Sequence, residues 1–397
     1  MKITDIVGTP VTVPLEAPLR WSMGVETGTT RTIIRLKTDE GLVGIGETYG
    51  GDTTISALEF AKPFILGMNP MEVRLILNRL QAFRISYESH LSPHVVAGIE
   101  MACWDVTGKA SGRSVSSLLG GATRTEIPFS AYLFYRYKGE RNIGGEASAE
   151  AIVDRCEELI ERHKFRVIKL KGGVLDPEEE LRSVQKLRER FPLPYQIRFD
   201  PNAAWSVETS IRILSRMKEC HLEYTEDLTA NIEGMSLVRR DIPVPQATNM
   251  MVIAFEQIAP AVRQRAIDII LADVHFWGGL WNNLRLAAVC ETLQLGLGMH
   301  SDRELGVSTA AMLHLAAATP YMMYASDSHY HDQVDDIITR PFKYRDGCMH
   351  VPQGPGLGVE LDEDKIEKYH RHYKEQGSVN EFLDPHRPEW VPNLPLF

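Results

Sequence analysis

Val167-Ile168-Lys169-Leu170-Lys171-Gly172-Gly173 sets two lysines at alternate positions in an apolar run. Alternate side chains of a β-strand share a face, so Lys169 and Lys171 would stand side by side. Two ammonium groups on an apolar strand are costly unless something anionic lies opposite. A like charge disfavours the protonated form, so each lysine is expected to lower the pKa of the other. An amine tuned in this way serves as a general base near neutral pH. The alternative is a strand edge carrying two solvated lysines.

Further along, polar groups recur at the ends of short apolar runs: Asp200 and Asn202, Glu226 and Asp227, Asn249, Asp273, His300, and Asp327 with His329 just beyond. Taken singly, Asp200, Asp273 and Asp327 read as helix N-caps. Glu226 and Asn249 read as turn residues, and His300 as a core histidine. Taken together they describe a site. Asp200, Glu226 and Asn249 offer three hard oxygen ligands, which with water or substrate suit Mg2+ better than zinc. A carboxylate at Asp273 would orient the His300 imidazole and raise its basicity. Such a site holds a base on each face of a substrate carbon and a divalent cation at one end. That arrangement suits abstraction of a proton α to a carboxylate, with the enolate stabilised electrostatically.

These residues need a scaffold that brings strand ends together. Short apolar stretches at 129–134, 166–170, 195–199, 222–225, 244–248, 267–272, 295–299 and 322–326 alternate with helical patterns such as 178–189, 207–218 and 280–292. Repeated βα units imply a parallel sheet, and eight of them imply a closed (β/α)8-type, TIM-like barrel, in which catalytic groups sit at the C-terminal strand ends. The first 125 or so residues read differently. Strands at 3–13, 30–38 and 42–48 precede a helical region over 53–120, an α+β unit. The stretch from Pro18 to Gly24 between the first two strands reads as a loop carrying Arg20 and Trp21. Gly44-Ile45-Gly46 lies inside a hairpin and lacks the third glycine and following helix of a dinucleotide motif. The expected division is an N-terminal α+β capping domain over 1–125 and a barrel over 126–361. A charged helix from about Asp362 and a Pro-rich end (362–397) pack back on the first domain.

The chain has 397 residues, 44% of them hydrophobic and 24% charged, as in ordinary globular proteins. A net charge of −10 without a basic block argues against nucleic acid or an anionic membrane as partner, but not against a small anionic substrate in a cationic pocket. Five scattered cysteines show no paired spacing, so neither a disulfide framework nor structural zinc is expected. No apolar run reaches transmembrane length and the N-terminus lacks a signal-peptide core, so a reduced cytoplasm is expected.

The motifs carry a resemblance. Gly98 to Lys109, Leu118-Leu119-Gly120-Gly121, Ala131 to Lys138, Lys169-Leu170-Lys171-Gly172-Gly173, Asp200-Pro201-Asn202, Glu226-Asp227, Ala247-Thr248-Asn249-Met250, Asp273 to Gly279, His300-Ser301, Asp327-Ser328-His329-Tyr330 and Pro355 to Val359 span nearly the whole chain. Together they resemble the enolase superfamily, its mandelate racemase-type branch, and within it the glucarate dehydratase group, to which an asparagine as third metal ligand points. The resemblance implies that Asp200, Glu226 and Asn249 bind Mg2+. Lys171 would be the base on one face of the substrate, with Lys169 holding the substrate carboxylate. His300, paired with Asp273, would be the acid/base on the other face, and Asn202 would hydrogen-bond substrate or enolate. Asp327 and His329 would lie near the distal end of the substrate. The implied activity is dehydration of an aldarate, glucarate-like acid sugar to a 2-keto-3-deoxy acid, in a homo-oligomer. Alternatives are a racemase or epimerase on the same scaffold, or a non-catalytic relative. Two stretches depart from the group: 18–24 lacks its histidine, and Ser301-Asp302-Arg303-Glu304 replaces its asparagine-rich stretch. Arg20 is the expected contact for a distal carboxylate, with Trp21 beside it.

Overall fold

β-Branched and apolar residues near the N-terminus build three antiparallel strands, β1 (Ile3–Trp21), β2 (Gly24–Thr38) and β3 (Val43–Tyr49), in the order β1-β2-β3. The structure, a computed structural model, describes residues 1–81, 91–139 and 142–397; the helical expectation for 53–120 therefore runs partly over 82–90, outside the described residues. The first strand does not stop at Pro14. It continues to Trp21, with a register shift between Pro14 and Leu19. As the edge strand of this sheet β1 tolerates prolines, which cannot donate to a ladder. The expected loop over 18–24 is thus the tip of a long hairpin, held in place by both strands.

Helices α1 (Asp52–Ile65), α2 (Val73–Gln81) and α3 (Pro93–Ser111) cover this sheet. Ile6, Ile34 and Leu36 pack with Leu58, Ile76, Val96, Ile99 and Cys103 in one buried cluster. Helix α3 starts on Ser92, whose side chain accepts from His94 N, and stops at Gly112 in a left-handed conformation. Gly44 and Gly46 have a packing role: a Cβ there would lie 2.0 Å from Ala102 O and 2.1 Å from Gly98 O. Only glycine lets β3 approach α3 so closely.

After α4 (Val115–Leu118) and the short β4 (Glu126–Pro128), strands and helices alternate. They are β5 (Ser130–Phe134), α5 (Ala149–His163), β6 (Val167–Lys171), α6 (Pro177–Arg190), β7 (Gln196–Asp200), α7 (Val207–Met217), β8 (Tyr224–Glu226), α8 (Ile232–Asp241), β9 (Gln246–Thr248), α9 (Phe255–Arg263), β10 (Ile269–Ala272), α10 (Leu280–Leu293), β11 (Gly296–Met299) and α11 (Gly306–Ala318). Ser148, Asp176, Ser206 and Asn231 cap α5 to α8 by accepting N-terminal N–H groups. β5 to β11 form one seven-stranded parallel sheet in chain order. The eighth strand expected over 322–326 is not regular. Met323 N bonds Leu297 O, Ser326 N bonds Pro128 O and Ser130 N bonds Ser326 O. Isolated backbone bonds to both edges thus close the curled sheet where a strand ladder was expected. The architecture is an α+β capping unit followed by a modified (β/α)8-type barrel.

The chain returns to its beginning. β12 (Cys348–His350) pairs with β4, and α12 (Glu363–Gln376) lies against β1. Tyr373 Oη bonds Asp52, His370 Nδ1 bonds Pro10 O and Val379 N bonds Thr30 Oγ1. Among the described residues no helix is long and apolar enough to cross a membrane.

Candidate active site

Because β6, β7, β8 and β9 are neighbours in that order, their C-terminal ends bring Lys171, Asp200, Glu226 and Asn249 together. The register sets Lys171 beside Asp200. Lys171 Nζ donates to Asp200 Oδ2 at 2.8 Å and to Asn202 Oδ1 at 2.6 Å. Lys169, two residues earlier on the same face, is fully buried. Its Nζ lies 2.6 Å from Glu226, 2.7 Å from Asp327 and 3.5 Å from Asp200, and 4.6 Å above the Tyr132 ring. The expectation that the lysines lower each other's pKa does not hold for Lys169. Burial opposes its charge, but Asp327, Glu226 and Asp200 outweigh burial and hold it well above the ordinary lysine value.

The floor of the barrel mouth crowds four buried carboxyl groups among three buried cations. Asp200, Glu226, Asp227 and Asp327 face Lys169, Lys171 and Arg198, all buried. Burial pushes the Glu226 carboxyl up to about 8, and Asp200 and Asp327 add to this against Lys169. Glu226 Oε2 receives no aligned hydrogen bond despite the nearby ammonium. The Asn249 amide sits between Glu226 Oε1, Asp227 Oδ2 and His300 Nε2. With its nitrogen toward the carboxylates it donates at 3.1 and 2.8 Å, and its oxygen accepts from His300 Nε2 at 3.0 Å. With the amide reversed, its oxygen meets the carboxylate oxygens with no proton between them, an arrangement a cation resolves. An orphaned carboxyl oxygen, a crowd of buried carboxyl groups and a set of hard oxygen donors fit Mg2+. The set is two carboxylates and an amide; among the described residues no three His, Cys, Asp or Glu side chains form a metal cluster.

On the far side of the mouth β10 and β11 deliver the second group. His300 Nδ1 lies 2.7 Å from Asp273 Oδ2, while Asp273 Oδ1 accepts from the N–H groups of His275 and Phe276. Asp273 therefore orients both the loop after β10 and the imidazole. Burial opposes the charge on His300, but the hydrogen bond and charge of Asp273 outweigh it and raise the pKa above 6.5. Phe276 stacks on the ring, with centroids 5.3 Å apart. In the curled sheet, β6 and β11 face each other across the strands that carry Asp200, Glu226 and Asn249.

Lys171, Asn202, Asn249 and His300 line one cavity of about 220 Å³. Its roof comes from elsewhere: Trp21, Met23 and Glu26 of the hairpin, Asp302 and Arg303 after β11, and Glu381 and Phe382 near the C-terminus. The roof is tied to the floor, since Ser22 Oγ donates to Asn202 O and accepts from Asn202 Nδ2, both at 3.0 Å. It is tied within itself by Trp21 Nε1 to Glu381 O and Val25 N to Leu383 O.

The expected substrate-binding residues divide. Trp21, Asn202 and His329 line the cavity; Arg20, Lys169 and Asp327 do not. Arg20 packs over the Tyr137 ring at 4.6 Å. Asp327 is held by Lys169, Ser130 and Arg198. His329 stands beside Tyr132 and Phe134, and burial pulls its pKa well below the ordinary value, leaving a neutral ring. On the roof side, the cation that reaches the cavity is Arg303.

Residues behind the cavity wall also build the site, and one of them, Glu180, carries no sequence signal of its own. Glu180, early in α6, accepts from the N–H groups of Gly173, Val174 and Leu175 and fixes the loop that follows Lys171. Asp227 accepts from Thr248 Oγ1 and from the N–H groups of Asn249 and Met250, which sets the Asn249 turn. Asn202, Asp227 and Arg303 all adopt positive φ, at 51°, 39° and 59°. Such backbone is strained for non-glycine residues and gathers at sites where the fold imposes it.

Comparison with known proteins finds relatives over the whole chain. Residues 3–120 match the Mandelate racemase / muconate lactonizing enzyme, N-terminal domain, and residues 151–365 match the Enolase C-terminal domain-like family. A probable glucarate dehydratase of Streptomyces coelicolor is 37% identical over 431 residues, covering 100% of this chain and 99% of its own. The crystal structure of an enolase from Thermobispora bispora, complexed with magnesium and formate, superposes with a TM-score of 0.93 at 38% identity, covering 100% of each chain. An enolase from Gibberella zeae, complexed with magnesium, formate and sulfate, gives 0.93 at 37% identity, covering 100% of this chain and 97% of its own.

Proposed function

The chain belongs to the enolase superfamily, in its mandelate racemase/muconate lactonizing branch, and from that premise we propose that it is a Mg2+-dependent dehydratase of sugar acids. The observation that supports the reading is that Lys171, Asn249 and His300, the last paired with Asp273, line one cavity, while the strands ending in Asp200, Glu226 and Asn249 lie between β6 and β11 in the sheet order. The name of the Streptomyces coelicolor relative makes glucarate, an aldarate, the first acid to assay.

Asp200, Glu226 and Asn249 hold the metal. When bound, it supplies positive charge to the carboxylate end of the substrate, where the enolate dianion develops. Lys171 takes the proton α to the carboxylate on Nζ. The two hydrogen bonds it makes, to Asp200 and Asn202, are those of the protonated amine it then becomes. The electron pair of the broken C–H bond forms the C–C double bond as the β C–O bond breaks. His300, kept as imidazolium by Asp273, gives its proton to the departing β-hydroxyl, which leaves as water. Tautomerisation of the enol yields a 2-keto-3-deoxy acid. Asn202 holds Lys171 in place and faces the substrate. Lys169 is a buried counter-charge for Asp200, Glu226 and Asp327. Trp21 and His329 wall the cavity, and the roof excludes water from the enolate.

In this reading residues 1–125, with 362–397, form the cap and residues 126–361 the catalytic barrel. The enzyme acts in the cytoplasm as a homo-oligomer, and its five unpaired cysteines suit a reducing compartment. The competing outcome is racemisation, since groups on both faces permit proton return from the other side. Incubation with Mg2+ and a panel of sugar acids in D2O separates the two. A keto acid product supports dehydration; deuterium exchange with inversion and no keto acid would sink it.

A further inference from the structure

The roof of the cavity differs in chemistry from its floor. Arg303, its one cation, is already surrounded. Its guanidinium pairs with Asp302 at 2.9 Å, with Glu26 at 3.2 Å and with Glu381. Asp302 accepts from its Nε and Nη2, Glu381 from Nη2 and Gly28 O from Nη1, so every guanidinium nitrogen is engaged. A second substrate carboxylate would find no free cation there. Glu26 is also unfinished as a hydrogen-bonding group. It is 6% exposed, lines the cavity, and its Oε2 receives no aligned hydrogen bond despite lying beside Arg303. A buried acceptor without a donor is costly, and a ligand hydroxyl would supply the donor.

We propose that Glu26, with Asp302 and Glu381 around Arg303, makes the roof a hydroxyl-binding, anion-excluding surface, so that the substrate carries one carboxylate, at the reacting end, and a neutral polyhydroxyl tail. The substrate class is then a monocarboxylic sugar acid rather than a diacid. This rests on the reading of the floor as a sugar-acid site and narrows it. The distal carboxylate of an aldarate would be buried beside Asp302 and Glu381, which already occupy Arg303. A hydroxyl brings no charge, and it offers both a donor and an acceptor to the Glu26 carboxyl.

Binding to the full-length protein with saturating Mg2+ is to be measured by calorimetry for matched pairs: D-gluconate against D-glucarate, and D-galactonate against galactarate. Keto acid formation is to be followed in parallel. In at least one pair the monoacid is expected to bind at least about tenfold more tightly, with the diacid favoured in neither. Glu26→Gln is expected to narrow that preference by about tenfold or more. A diacid bound as tightly as its monoacid in every pair, no binding by either member of both pairs, or a preference unmoved in Glu26→Gln would overturn the proposal. Efficient dehydration of the diacids alone would refute the monoacid assignment and leave the dehydratase reading standing. Selective monoacid binding without keto acid or α-deuterium exchange would do the reverse.

Discussion

Lys171 and His300 are the residues on which the chemistry turns, and each gives a distinct prediction. Lys171→Ala should lower turnover by about 10² to 10⁴-fold while the rise in Tm with Mg2+ persists, because Asp200, Glu226 and Asn249 are untouched. The His300–Asp273 pair predicts a pH dependence. The folded pKa of His300 is raised above 6.5. The stability it contributes is therefore complete below pH 6.5 and lost as the pH climbs through the raised value. In Asp273→Asn that loss should disappear from urea midpoints measured across the range, and the alkaline limb of the activity profile should move to lower pH. Unchanged profiles would mean that Asp273 does not tune the histidine. These residues were legible in the sequence because each is an isolated polar group closing a short apolar run. The charge state of Lys169 was not. Its sequence neighbour is Lys171, but its spatial neighbours are Asp200, Glu226 and Asp327, which arrive from three other strands.

Elements place these side chains, and the regular ones announce themselves by their periodicity. The parallel strands β5 to β11 follow the alternation of apolar and helical stretches closely. The segment over 322–326 joins the sheet only through isolated backbone bonds, so its apolar pattern resembles a strand that never becomes regular. The hairpin of β1 and β2 was hidden for the opposite reason: Pro14 and Pro18 look like breaks, yet an edge strand accommodates them. In the sequence Arg20 reads as a cation in a loop. In a strand its neighbours are fixed by register, and its side chain is directed to Tyr137. The loop after β6 depends on one carboxylate, Glu180. Glu180→Ala would leave the N–H groups of Gly173, Val174 and Leu175 without their acceptor and should destabilise the fold by about 1–3 kcal/mol. Urea unfolding measures this, and turnover should fall as well because Lys171 loses its support. A loss within error would show that the loop holds itself.

At the scale of the molecule, capping unit and barrel are joined by buried carboxylates at helix N-termini. Glu100 of α3 accepts from Leu280 N and Trp281 N at the start of α10. Glu47 of β3 accepts from Leu305 N and Ser308 N at the start of α11 and lies 3.7 Å from Arg31. Asp105 accepts from Ile45 N and from Leu357 N, which lies beyond the barrel helices. Such carboxylates complement the helix dipole and satisfy N–H groups that have no partner in the helix. They hold the capping unit against the barrel. None was legible from local pattern, because each joins positions more than 50 residues apart. The same holds for Glu26 and Glu381, which meet only where the C-terminal segment returns to the hairpin. Metal binding tests the floor as a unit. Asp200→Asn or Glu226→Gln should abolish both activity and the Mg2+-dependent rise in Tm, and unchanged metal binding would reject the ligand set. The central claim is that Lys171 removes the proton α to a substrate carboxylate. Its most direct test is mass spectrometry of recovered sugar acid and product after incubation in D2O with Mg2+, for the wild type and Lys171→Ala. The account predicts keto acid formation and α-deuterium exchange that both vanish in the variant. Exchange or keto acid at the wild-type rate in Lys171→Ala would contradict it.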